Sequence, residues 1–448
     1  MNTLLIIGGL VVSIGLLVFL TIKVKLHPFF SLVFSALIFG LVNKVPVLNI
    51  ISAFSAGMGE TIAGIGVVIA LGTVIGMLLE KSGAAETMAR TILKITGTKH
   101  AGLGLAITGY FVSIPVFCDS AYVLLSPLGK RLSHDSKISM TTMGLALAFG
   151  LHSTHVLVPP TPGPLSVAGI LGADLGLVIL IGMVISIPVT GVALLMASFF
   201  GRKYHYLPTT VEEIEENVKR PSALMSFAPI IVPILLMLLN TIASLKSAPF
   251  GESSLFTSFL QAVGQPVAAL FVGLVIAFFT YRSIHPEDKK LWGFDGGFGE
   301  AMKTAGQIVL IVGAGGAFAS VLKTAPIEKM VHSYFTTLSV GILAPFVIGA
   351  IFRTAIGSAT VGMITAASML MPLLATLGFD STMGRVIAML ACAAGGMMVF
   401  HGNDDFFWVI TSTSEMGADI AYKTIPIISV VQSLTAIACV FILQVIFL

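Results

Sequence analysis

The sequence predicts an all-α polytopic membrane protein, with about ten transmembrane helices and two re-entrant hairpins set in two inverted-topology repeats. Three observations carry this expectation: charge is scarce, apolar windows of bilayer length recur, and the two halves of the chain resemble each other. Of 448 residues, 56% are hydrophobic and only 10% charged, against about 25% charged in a soluble domain. That balance excludes an ordinary cytosolic enzyme and a disordered chain. The 24 basic and 21 acidic residues leave a net charge of +3, too small and too scattered for a nucleic-acid footprint. Cys118, Cys392 and Cys439 show no paired spacing, so neither a disulfide framework nor a zinc site is expected.

A bilayer core takes about 20 apolar residues as helix. Windows of that kind run from Leu4 to Ile22, Pro28 to Val42, Thr61 to Leu79, Met140 to Leu171, Leu175 to Phe200, Met225 to Ile242, Pro266 to Tyr281, Ala305 to Leu322, Val386 to Thr413 and Ile425 to Leu448. The first follows only Met1-Asn2-Thr3, without a basic leader or a small-residue cleavage site, and reads as a retained helix. Two further stretches, 102–132 and 341–373, are too long for one span and are interrupted by polar residues, so both read as hairpins that return on the side they entered. Lys and Arg bias loops toward the cytoplasm. With the N-terminus outside, 18 basic residues fall inside and four outside, Arg353 and Arg385 lying at membrane depth. The C-terminus is then outside as well.

Self-similarity supports a repeat. Leu79 to Glu86 (LEKSGAAE) resembles Val321 to Glu328 (VLKTAPIE), Ser120-Ala121 aligns with Ser358-Ala359, and Gly172-Ala173-Asp174 with Gly417-Ala418-Asp419. Five spans per half is an odd number, so the halves face opposite ways. The expected organisation is an N-terminal repeat over 1–200 with a cytoplasm-facing hairpin, a cytoplasmic linker over 201–223, and an inverted repeat over 224–448 with a hairpin facing outside. Inverted repeats with broken helices near the midplane are the architecture of secondary transporters. A short amphipathic segment precedes each hairpin. In 84–95, Glu86, Arg90 and Lys94 form one stripe and Met88, Ile92 and Ile95 another, as in an interfacial or solvated loop helix.

Polar residues at membrane depth are costly and mark candidate function. They form four clusters. In the first hairpin Pro115 breaks the helix and Asp119 follows it. Asp119 either binds a proton, cation or substrate hydroxyl, or caps the returning helix; Ser120 beside it is a candidate substrate contact. The second hairpin carries Arg353, Ser358 and Thr360, small and hydroxylated residues that offer a helix N-terminus and a guanidinium fork to a carboxylate. Arg353 alternatively pairs with a buried acid, Asp404 or Asp119.

The third cluster, His152 to Pro164, has four prolines in six residues, so this span is unwound in mid-membrane. His155 handles a proton, hydrogen-bonds substrate, or is a satisfied core histidine; the two histidines lack a third metal ligand nearby in sequence. The fourth, His401-Gly402-Asn403-Asp404-Asp405, places two acids and an amide at an interrupted span, suited to a cation or a shared proton; it alternatively lies in a cytoplasmic loop. Gly72, Gly76, Gly313, Gly315 and Gly316 read as close helix packing. No Walker motif, nucleophile elbow or HExxH is present, so neither ATP-driven transport nor intramembrane hydrolysis is supported.

The runs GTVIGMLLEKSGAAE, SIPVFCDSAYVLLSPL, THVLVPPTPGP, GSATVGMITAASM and HGNDDFFW resemble the signature blocks of the gluconate permease family, within the ion transporter superfamily, in order over essentially the whole chain. The resemblance implies a bacterial inner-membrane proton symporter for gluconate or a related sugar or hydroxy acid, with one branch of the family carrying D-serine. It further implies the superfamily fold and a homodimer. Asp119 matches an Asp or Glu of the family, His401 the His of its His-x-Asn-Asp block, and Asn403-Asp404 the Asn-Asp. Two departures bear on substrate: Thr161 stands where many relatives have His, and Cys118-Asp119-Ser120-Ala121 replaces a bulkier tip.

The expected function is therefore secondary active uptake, not enzymatic catalysis, in which a small hydroxy-acid or sugar-acid anion enters with protons across the bilayer. Ser120, Thr161, Arg353, Ser358, Thr360 and Asn403 are the expected substrate contacts, and Asp119, His155 and Asp404 the expected proton carriers. No cofactor and no metal are expected. Sodium coupling on the same fold, a D-serine or glycerate permease, and a carboxylate-binding channel or sensor are the alternatives.

Overall fold

The computed structural model describes residues 3–210, 218–244, 254–325, 341–402 and 404–448, and among them it holds helices and no strand. The first half runs α1 (Thr3–Ile22), α2 (Pro28–Val42), α3 (Val47–Lys81), α4 (Ala84–Thr96), α5 (Ala101–Val112), α6 (Cys118–Ser136), α7 (Met140–Leu157), α8 (Pro162–Leu171) and α9 (Leu175–Lys203). The second runs α10 (Ala223–Ala243), α11 (Leu255–Val263), α12 (Pro266–Ile284), α13 (Gly297–Leu322), α14 (Leu343–Ile356), α15 (Ala359–Leu370), α16 (Thr382–Gly396), α17 (Asp405–Thr413) and α18 (Ala418–Phe447). Among the described residues seven helical segments are long and apolar enough to cross a bilayer: α3, α7 with α8, α9, α10, α12, α13 and α18. The amphipathic segment expected before the second hairpin lies outside the described residues.

Boundaries follow local chemistry. Pro28 and Pro162 open helices whose first amide needs no partner, and Ser222, Ser381 and Asp174 cap α10, α16 and α9 by accepting from a backbone amide. The third span is longer than hydropathy suggested. It starts at Val47, not Thr61, and its 35 residues extend about 52 Å, because Asn49, Ser52, Ser55 and Glu60 dilute the apolar signal without breaking the helix. In α4, Met88 and Ile92 are buried against α5 and α10 while Ile95 is exposed. Glu86 bonds Arg90 at 3.0 Å and Arg220 at 2.8 Å.

Both hairpin stretches and both interrupted spans break where the sequence says they should. The breaks fall at 113–117, 158–161, 357–358 and, among the described residues, 397–402 with 404. The longest packed interface joins α3 to α13, and α3 also carries the first two breaks. A methyl group on Gly76 would lie 2.4 Å from the Pro115 carbonyl oxygen, and one on Gly72 3.0 Å from that of Pro160. Only glycine admits the first approach, and the second would press on its neighbour. Helix α7 is buried along its whole length, which puts the first broken span at the centre of the molecule.

The segment 204–210 is a strap, not a loose linker. Tyr206 Oη donates to the Ser414 carbonyl at 2.8 Å, Thr209 N and Thr210 N donate to the Glu415 carboxylate, and Lys130 Nζ of α6 reaches Glu415 Oε1 at 2.9 Å. Partial burial alone would raise the Glu415 pKa. The bonds from Thr209, Thr210 and Lys130 outweigh it and hold the carboxyl well below the usual carboxylate range.

Candidate substrate site

Three of the four breaks line one cavity of about 490 Å³, through Phe117, Gly357 with Ser358, and Asp404, and α7, which ends at the fourth break, reaches it with His152 and His155. Its wall includes Asp119, His152, His155, Arg353, Ser358 and Thr360. In the first hairpin, Ser113 Oγ donates to the Val116 carbonyl at 3.3 Å, replacing helical bonds that Pro115 removes. Helix α6 then starts after Phe117, with no side chain capping it. Asp119 therefore does not act as the N-cap. It sits in the first turn, where the helix dipole favours an anion, and its Oδ1 is buried with no hydrogen-bond partner among the described residues.

The break between α7 and α8 is closed by Thr161, whose hydroxyl donates to the carbonyls of His155 at 3.0 Å and Val158 at 2.8 Å. Thr161 does not line the cavity; its oxygen satisfies backbone that the prolines leave free. His155 does line it, with Nδ1 unpartnered and its ring 6.1 Å from that of Phe117.

In the second hairpin, Gly357 turns the chain at φ 83° and Ser358 caps α15, its Oγ accepting from Val361 N. Arg353, 1% exposed, pairs with Asp404 and also donates to the Gly357 carbonyl. Its guanidinium carbon lies 5.2 Å from the Phe400 ring centroid, and Nε is unpartnered. Asp404 is committed on both oxygens, because Oδ1 accepts from Phe406 N at 2.7 Å to cap α17 while Oδ2 takes Arg353. Of the two partners the sequence allowed for Arg353, the structure selects Asp404. Asp405 is exposed beside it and lines the same cavity.

Ser120 faces elsewhere. It lines a second cavity of about 320 Å³ with Glu80, Lys81 and Glu300, and Phe117 and Asp119 are common to both cavities. Adjacent helical positions diverge by about 100°, so Ser120 turns toward the second cavity while Asp119 stands between the two. Asn403 lies outside the described residues. Among the cavity residues that were not expected as site residues, His152 has a specific polar partner. His152 Nδ1 lies 3.0 Å from Gln432 Oε1 of α18, and the available signal was a glutamine within an apolar span that also holds Gln444.

A cation, hydroxyls and an unpartnered acid around one cavity have the chemistry to hold a small polar anion. A model of the GntP family permeases matches residues 4–446. The chain belongs to that family. It is 37% identical to a permease of Haemophilus influenzae, uncharacterised, over 90% of this chain and 84% of that one. It is 31% identical to the gluconate permease of Pseudomonas aeruginosa over 98% of this chain and 97% of that one. Among solved structures, the YdaH transporter of Alcanivorax borkumensis shares the fold at a TM-score of 0.59 and 16% identity, covering 88% of each chain. As a GntP-family member the protein is an integral membrane secondary transporter and not an enzyme.

Proposed function

We propose that this permease imports gluconate or a related small hydroxy acid by proton symport across the bacterial inner membrane. The observation that carries the reading is the pairing, across one cavity, of an anion-binding wall with an unsatisfied acid. Arg353, Ser358, Thr360 and the N-terminus of α15 suit a carboxylate. Asp119, with an open Oδ1, and His155, with an open Nδ1, suit the proton. Asp404 acts as the counter-ion that Arg353 leaves when substrate enters, and Ser120 serves the second cavity. Protonating Asp119 couples the flows if it stabilises the loaded state more than the empty one.

The proposed frame is two inverted repeats, 1–200 and 224–448 about a linker at 201–223, with both termini outside, ten spans and a homodimeric assembly. The α3–α13 pair supports it. At one end a cavity is lined by Gly76, Met77 and Glu80 with Glu300 and Thr304. At the other, a cavity of about 310 Å³ is lined by Ala319, Ser320 and Lys323 with Gly57 and Thr61. A constant offset of 243 residues carries each of these residues to its counterpart.

Uptake of labelled gluconate into energised vesicles tests the coupling. Accumulation should collapse with a protonophore and survive sodium removal, and the reverse result assigns sodium. Failure to accumulate against a gradient would make the protein a channel or sensor. A thermal-shift screen with gluconate, glycerate, hexuronates, erythronate and both serine enantiomers ranks the substrates, since binding stabilises by mass action.

A further inference from the structure

We infer that His152 is a specificity-determining residue whose Nε2 accepts a hydrogen bond from a substrate hydroxyl, in a tautomer fixed by Gln432. The inference rests on the hydroxy-acid reading above and adds the residue that reads the hydroxyl.

Gln432 Nε2 lies 3.0 Å from the Phe149 carbonyl and 2.8 Å from Ser153 Oγ. A carbonyl only accepts, so the amide nitrogen faces it and the amide oxygen faces His152. That oxygen can only accept. The His152 contact at 3.0 Å is therefore Nδ1–H donating to Oε1. In the neutral ring the other nitrogen, Nε2, then carries a lone pair. That Nε2 is buried and has no partner among the described residues, and His152, 2% exposed, lines the main cavity.

The ring is held in place. It lies 6.0 Å from Phe149 and 5.0 Å from Phe400, and Phe400 also carries the Arg353 guanidinium at 5.2 Å. One aromatic ring thus spaces the acceptor from the cation, so an acid whose carboxylate meets Arg353 can bring a hydroxyl to His152. A buried acceptor left unpaired is what makes a site reject an analogue lacking one hydroxyl far more strongly than a change of apolar size does.

The test measures affinities of the purified full-length protein for two series: D-gluconate with its monodeoxy analogues, and D-glycerate with lactate and 3-hydroxypropionate. Wild-type protein should lose about tenfold or more in affinity at one hydroxyl position. In His152→Phe, which keeps a ring but no acceptor, that discrimination should fall to within about threefold, with the parent acid binding as weakly as its deoxy analogue. Gln432→Met, which frees the tautomer and leaves His152 in place, should move selectivity in the same direction and serves if His152→Phe does not fold. Undiminished discrimination in a folded variant that still binds overturns the inference alone. Failure of wild-type protein to bind either series overturns the hydroxy-acid reading, and this inference with it.

Discussion

The guanidinium of Arg353 and the carboxylate of Asp404 meet in the protein interior from the last turn of α14 and the cap of α17, 51 residues apart in the chain. Both groups are buried, Arg353 at 1% and Asp404 at 7% exposure. Removing one member of such a pair strands a charge at a cost of about 3–5 kcal/mol, whereas neutralising both is far milder. Arg353→Met and Asp404→Asn should each lower thermal stability strongly, and the double variant should recover most of the loss. The double variant should still fail to transport, which separates the structural part of the pair from its part in binding. Additive losses of stability would contradict the pairing.

Asp119→Asn should abolish proton-driven accumulation while sparing exchange of labelled for unlabelled substrate. Counterflow needs the loaded protein to reorient but no net proton release. Loss of both activities would make Asp119 a binding residue instead.

Gly76→Ala should be costly and Gly59→Ala should not, although both lie in α3. The first places a methyl 2.4 Å from the Pro115 carbonyl, and the second meets nothing within 4 Å. Overpacking costs about 1–3 kcal/mol, while a helical Gly→Ala in open space gains up to about 1 kcal/mol. Displacing Pro115 also shifts Asp119, so Gly76→Ala should raise the KM for uptake as well as lower the melting temperature.

Glu415→Gln should destabilise the protein at neutral pH by loosening the strap. The folded carboxyl titrates below its unfolded value, so its contribution is present above the unfolded pKa near ~4.3 and is lost as pH falls through the lower folded value. The melting-temperature deficit of the variant should therefore stay constant between about pH 7 and pH 5 and close only in stronger acid. A deficit that closes near pH 6 would mean that Glu415 is not the group responsible.

Much of the scaffold was legible because it is written in local chemistry. Proline at 115 and at 159–164, and glycine at 357, mark the breaks whatever surrounds them. The site was legible only in part. Asp119, His155, Arg353, Ser358, Thr360 and Asp404 do share one cavity, since polar residues at membrane depth have few other places to go. Which acid Arg353 takes, and that Thr161 spends its hydroxyl on its own backbone, depend on tertiary distances that no spacing encodes. The role of His152 needed a partner in α18, and periodicity within α7 could not supply it.

The polar contacts around the first hairpin also set a schedule. Lys130 with Glu415, Tyr122 with Ser414 and His152 with Gln432 join residues 285, 292 and 280 positions apart. As the chain leaves the ribosome, the first half is complete in sequence long before any of these partners exists. Its hairpin and its broken span must wait for these three contacts until α17 and α18 arrive. A chain stopped before α17 and α18 would therefore carry every span of the first half without the contacts to Ser414, Glu415 and Gln432.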